Sequence, residues 1–72
     1  MEFNKDIVRR NIRELRMKKK WKFTYVAQKT GIKEERLRKI EVAKLIPTHE
    51  ELYKLSRLYD VTIDYLVFKE LE

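Results

Sequence analysis

Six of the seven residues from Lys33 to Lys39 are charged: Lys33, Glu34, Glu35, Arg36, Arg38 and Lys39 flank a single Leu37. The four cations suit an anionic partner. The two carboxylates either meet a donor on that partner or neutralise cations four residues away on a helix. Upstream, residues 1–22 hold nine basic side chains against Glu2, Asp6 and Glu14, whereas residues 47–72 hold three basic and six acidic ones. The formal net charge of +6 is thus concentrated in one half, which attracts polyanions while the other does not. Covalent and acid–base chemistry find no such footing. His49 is the only histidine, it has no His, Cys or paired carboxylate placed as a metal or nucleophile partner, and Ser56 has no base beside it. Without a phosphate-cradling glycine loop or an acid–base dyad, neither an enzyme, a metal site, a cofactor nor a small-molecule ligand is expected.

The charged run has to be held by helices. The stretch Trp21 to Glu41, WKFTYVAQKTGIKEERLRKIE, reads as two short helices broken at Thr30-Gly31, where glycine supplies the positive φ of a helix end. The first spans Phe23 to Lys29 with Val26 and Ala27 inward, and the second spans Glu34 to Glu41 with Leu37 and Ile40 inward, preceded by Ile32. Before them, Asn4 caps a helix from Lys5 to Lys18, in which Ile7, Val8, Ile12 and Leu15 recur at helical spacing. Trp21 folds back on the core from the connection. Val42 to Pro47 is a loop, because Pro47 biases Ile46 away from helix. Thr48-His49-Glu50-Glu51 is a capping box that starts a helix reaching Leu58, with Leu52, Leu55 and Leu58 inward. Thr62 caps a last helix carrying Ile63, Leu66 and Val67. The expectation is an all-α, five-helix domain over residues 1–72.

Composition agrees with that fold. One Gly, one Pro and 43% hydrophobic residues favour an ordered helical bundle in a chain too short for two cores. The absence of Cys fits a reducing cytoplasm. No apolar run spans a bilayer, and Met1 to Lys20 is too charged for a signal peptide, so a soluble, cytoplasmic chain with no membrane partner is expected. Leu71-Glu72 has the character of an expression-vector remnant and carries no weight.

The ordered set Ile12, Leu15 and Arg16; Val26, Ala27, Gly31 and Ile32; Leu37, Ile40 and Glu41; then Pro47-Thr48, Leu52, Leu55, Leu58, Val61, Ile63, Asp64 and Leu66 resembles the lambda-repressor-like (Cro and phage-repressor type, XRE) helix-turn-helix family. The match runs from about Ile12 to Val67. The resemblance implies a double-stranded-DNA-binding transcriptional regulator, a repressor by expectation, with its third helix in the major groove. It places Lys33, Glu34, Glu35, Arg38 and Lys39 against bases, and Lys22, Phe23, Thr24 and Lys44 against phosphates. It makes Arg16 and Glu41 a structural pair between helix 1 and the end of helix 3, and puts a small buried residue at Ser56. By the same analogy, the surplus apolar groups of 59–70, with Tyr59, Tyr65 and Phe68 foremost, form a homodimer interface.

Four positions depart from the family pattern. Phe23 stands where a phosphate-binding Gln is usual and offers only its backbone N–H. Lys33 stands where Ser or Thr caps helix 3. Val42-Ala43 replaces the Gly after Glu41. Glu34 and Glu35 bring carboxylates toward a polyanion, either to accept from cytosine N4 or to stabilise the helix start and pair with Arg38 and Lys39. With Trp21 in place of a core Leu, Phe23 and Tyr25 are the exposed aromatics. Two rivals are a protein-interaction module on the same fold, of antitoxin or antirepressor type, and a membrane-binding basic helix over Asn11 to Lys22.

Overall fold

The computed structural model describes residues 4–70; Leu71-Glu72 lies outside the described residues. The Asn4 side chain accepts from the amides of Asp6 and Ile7 and starts α1 (Lys5–Lys19), which ends in a left-handed Lys20. Three more helices follow in close succession: α2 (Phe23–Thr30), α3 (Glu34–Val42) and α4 (His49–Tyr59). The capping box is formed in both directions: the Glu51 amide donates to Thr48 Oγ1 at 3.1 Å, and the Thr48 amide donates to Glu51 Oε1 at 2.8 Å. Thr62 accepts from the Tyr65 amide and starts α5 (Ile63–Phe68). Among the described residues there is no strand.

The helices bury one stripe each into a common cluster. Val8 and Ile12 of α1 meet Val26 of α2, Ile32, Leu37 and Ile40 around α3, Leu52, Leu55 and Tyr59 of α4, and Leu66 and Val67 of α5. Helix α1 packs on α5 and α3, while α2 packs on α3 and α4. The short connections leave little slack, and three of them turn through left-handed residues other than glycine, Lys20 at φ 60°, Lys44 at φ 57° and Asp60 at φ 56°. Trp21 does fold back, stacking on Tyr59 with ring centroids 5.7 Å apart.

Three expectations change. Tyr59 is buried at 5% exposure and belongs to the core, so it offers almost no surface to a second copy. The apolar surplus of 59–70 is smaller than composition suggests, because Trp21 brings a second large ring to cover Tyr59. Phe23 is not an exposed aromatic either: it packs half-buried against the core, leaving Tyr25 as the exposed ring. Pro47 stays in the loop as expected, with its ring buried.

Candidate nucleic-acid interface

The turn between α2 and α3 is built by three residues. Gly31, at φ 78°, closes α2 by donating its amide to the Ala27 carbonyl at 2.8 Å. Thr30 Oγ1 donates to the Val26 carbonyl at 2.7 Å and accepts from the Ile32 amide at 3.2 Å, so one hydroxyl bonds to both sides of the break. Val26, Ile32, Leu37 and Ile40 are then buried, which fixes the rotation of α3 and turns Glu35, Arg38 and Lys39 outward.

Two ion pairs hold α3 from behind. Arg16 Nε and Nη2 donate to the two Glu41 carboxylate oxygens at 2.8 and 2.9 Å, while Arg16 Nη1 donates to the Trp21 carbonyl at 2.9 Å. One guanidinium thereby joins α1, the α1–α2 connection and the C-terminal half of α3. These hydrogen bonds to Glu41 also hold Arg16 more firmly protonated than an ordinary arginine. On the other side, Arg36 donates to both Glu51 oxygens at 2.6 and 2.9 Å, tying α3 to the start of α4. Arg36 is thus removed from the outward face, and its bond, together with those from Thr48, holds the Glu51 carboxyl below the usual glutamate range.

The remaining side chains form the front. Lys33, Glu35, Arg38 and Lys39 are exposed and Glu34 is half-buried. Glu34 Oε2 accepts from Arg38 Nη2 at 2.8 Å, and Glu35 Oε1 lies 3.2 Å from Lys39 Nζ. Neither Lys22 nor Lys33 caps the helix it precedes with a side-chain bond, so the first-turn amides of α2 and α3 carry the positive end of each helix dipole without a side-chain acceptor at the N-cap.

A family model described as Helix-turn-helix matches residues 12–66, most of the chain. The chain belongs to this lambda-repressor-like helix-turn-helix family. None of the curated proteins and none of the solved structures compared with it matches. As a helix-turn-helix regulator it binds DNA.

Within the helix-turn-helix, the residues expected at phosphates separate into two groups. Lys22, Phe23 and Thr24 come together at the start of α2, beside Arg38 of α3. Lys44 lies past the other end of α3, with its Nζ 2.8 Å from Asp6 Oδ1 at the start of α1, and this contact lowers the Asp6 carboxyl below its ordinary range. Asp6, Arg9, Arg13 and Arg16 recur at three- and four-residue spacing, so the stripe bracketed by the Lys44 and Glu41 contacts brings Arg9 and Arg13 to the same flank. Tyr65 is half-buried and Phe68 is 38% exposed, which leaves these two of the three expected interface residues near the surface.

Sequence reasoning missed Asn11. It is 1% exposed, and its Nδ2 reaches the carbonyls of Tyr65, Leu66 and Lys69 at 3.1, 3.1 and 2.8 Å, satisfying the C-terminal end of α5 from α1. The available signal was a polar residue inside the apolar stripe Val8, Ile12, Leu15. His49 is exposed, and Ser56 is buried with its hydroxyl donating to the Tyr53 carbonyl at 2.7 Å. Among the described residues no cluster of His, Cys, Asp or Glu is arranged to hold a metal, and no helix is long and apolar enough to cross a membrane.

Proposed function

We propose that the chain is a sequence-specific transcriptional repressor that binds double-stranded DNA with α3 in the major groove. Lys33, Glu34, Glu35, Arg38 and Lys39 form its groove-facing edge, and Lys22, Phe23, Thr24 and Lys44 grip the flanking phosphates. The observation that carries this reading is the division of α3 into a buried face, Leu37, Ile40 and Glu41, and an outward face that no other helix occupies. The carboxylates are no obstacle, because Glu34 and Glu35 are each neutralised by a cation four residues on. That pairing also weakens the case for a protein-interaction module in which Glu34 and Glu35 would meet a basic partner.

One small module binds DNA too weakly to single out a site among genomic competitors. We infer a homodimer paired through the outward side of α5, with Tyr65 and Phe68 at its centre, reading two half-sites about 34 Å apart. Lys39→Ala changes base preference in this reading, whereas Lys44→Ala weakens all duplexes alike, since releasing Asp6 gives no sequence information. Binding assays on a panel of duplexes check both; equal and uniform losses from the two variants contradict base reading by α3.

A further inference from the structure

Arg38 stands apart from the other outward residues of α3. Its Nη2 is bonded to Glu34 Oε2 at 2.8 Å, and its guanidinium lies over the Phe23 ring of α2, 5.1 Å from the centroid. Arg16 lies over the same ring at 4.2 Å. Two guanidiniums share one ring without strong repulsion because each is paired with its own carboxylate, Glu41 for Arg16 and Glu34 for Arg38. Lys39 and Glu35, by contrast, pair with each other on an exposed surface.

The consequence is one of direction. A guanidinium that reads guanine must present two adjacent N–H groups along the groove floor. Arg38 is instead drawn sideways onto the neighbouring helix, at the edge of the two-helix unit, and phosphates rather than base edges flank a groove. One of its five N–H donors is used by Glu34, which leaves the rest for an anion. Beyond Glu34, the first turn of α2 adds no carboxylate, and Lys22 beside it is exposed.

We propose that Arg38 is a phosphate clamp, positioned by Phe23 and Glu34, and that base reading on α3 falls to Lys33, Glu35 and Lys39. The proposal rests on the DNA-binding reading above. It gives Phe23 a task that the amide it replaces could not perform: its ring is the platform that holds the guanidinium in place.

The test is a double-mutant cycle with the full chain, using Arg38→Ala, Phe23→Leu and the double variant. Fluorescence anisotropy follows a panel of unrelated duplexes at ~50 and ~200 mM salt, the window in which phosphate contacts dominate. Thermal unfolding confirms that each variant folds, and Arg38→Met, which keeps the aliphatic stem, replaces Arg38→Ala if that variant does not. Arg38→Ala is expected to weaken every duplex by one common factor and to reduce the salt slope by about one, so its deficit narrows about 3.5-fold across that range. Phe23→Leu gives a smaller uniform loss and adds nothing once Arg38 is Ala. A loss confined to duplexes with one particular base pair, or a Phe23→Leu loss that persists in full without Arg38, overturns the clamp. A wild-type chain that binds no duplex at all overturns the DNA-binding reading and the clamp with it.

Discussion

Arg16 shows how much of this fold depends on single side chains. Its guanidinium satisfies Glu41, accounts for the Trp21 carbonyl and lies over Phe23, while Glu41 is 3% exposed, too buried for solvent to stand in for a lost partner. Glu41→Ala should therefore destabilise the chain by about 3 kcal/mol, because it leaves a largely buried guanidinium uncompensated. Lys54→Ala removes an exposed pair with Glu50 and should change stability by under about 0.5 kcal/mol. Urea denaturation compares the two, and similar losses would contradict the central place given to Arg16. The Tyr59 phenol beside this pair is pushed well above its ordinary range, first by burial and then by the Glu41 carboxylate, and its hydroxyl has no hydrogen-bond partner among the described residues. At this scale the sequence was partly legible. The Arg16–Glu41 pair followed from family resemblance, but the Arg36–Glu51 pair and the Phe23 platform depend on which helices meet, and spacing along one helix does not encode that.

The helices themselves were legible nearly to their ends, because their signals are local: Asn4, Thr48 and Thr62 as caps, Gly31 as terminator, and apolar residues at helical spacing between them. Observed ends lie one residue beyond expectation for α1, α2, α3 and α4, within the usual fraying of helix termini. What no local signal reveals is anchoring across the chain. Helix α5 is six residues long, too short to persist alone, and its carbonyls are held by Asn11, more than fifty residues away in sequence. Asn11→Ala should cost about 2 kcal/mol and raise amide exchange in α5 before the other helices; uniform exchange across all five would sink that assignment. The start of α4 has a pH signature instead. The Glu51 carboxyl titrates below the ordinary 4.5, so its contribution is complete above about pH 4.5 and is lost as the pH falls through the folded value. Glu51→Gln should flatten the acid limb of the stability profile, and an unchanged limb below pH 4.5 would show that Arg36 and Thr48 do not hold that carboxylate.

For the whole molecule, charge and shape point the same way. The nine cations of residues 1–22 supply a positive field, Arg9 and Arg13 share a flank with the contacts that bracket the end of α3, and the acidic surplus lies in residues 47–72. The scaffold could be read from the chain because its core positions repeat a family pattern. The reading edge could not, because Lys33, Glu34 and Glu35 depart from that pattern and only their contacts divide them by role. A largely electrostatic complex loses affinity steeply with salt, whereas sequence reading shows as preference at constant salt. Selection of bound molecules from a random pool of duplexes measures that preference most directly. Enrichment of a two-fold symmetric motif with half-sites about one helical turn apart, lost from both halves in Lys39→Ala, is the expected result. A bound pool indistinguishable from the input would contradict the claim that α3 reads DNA sequence.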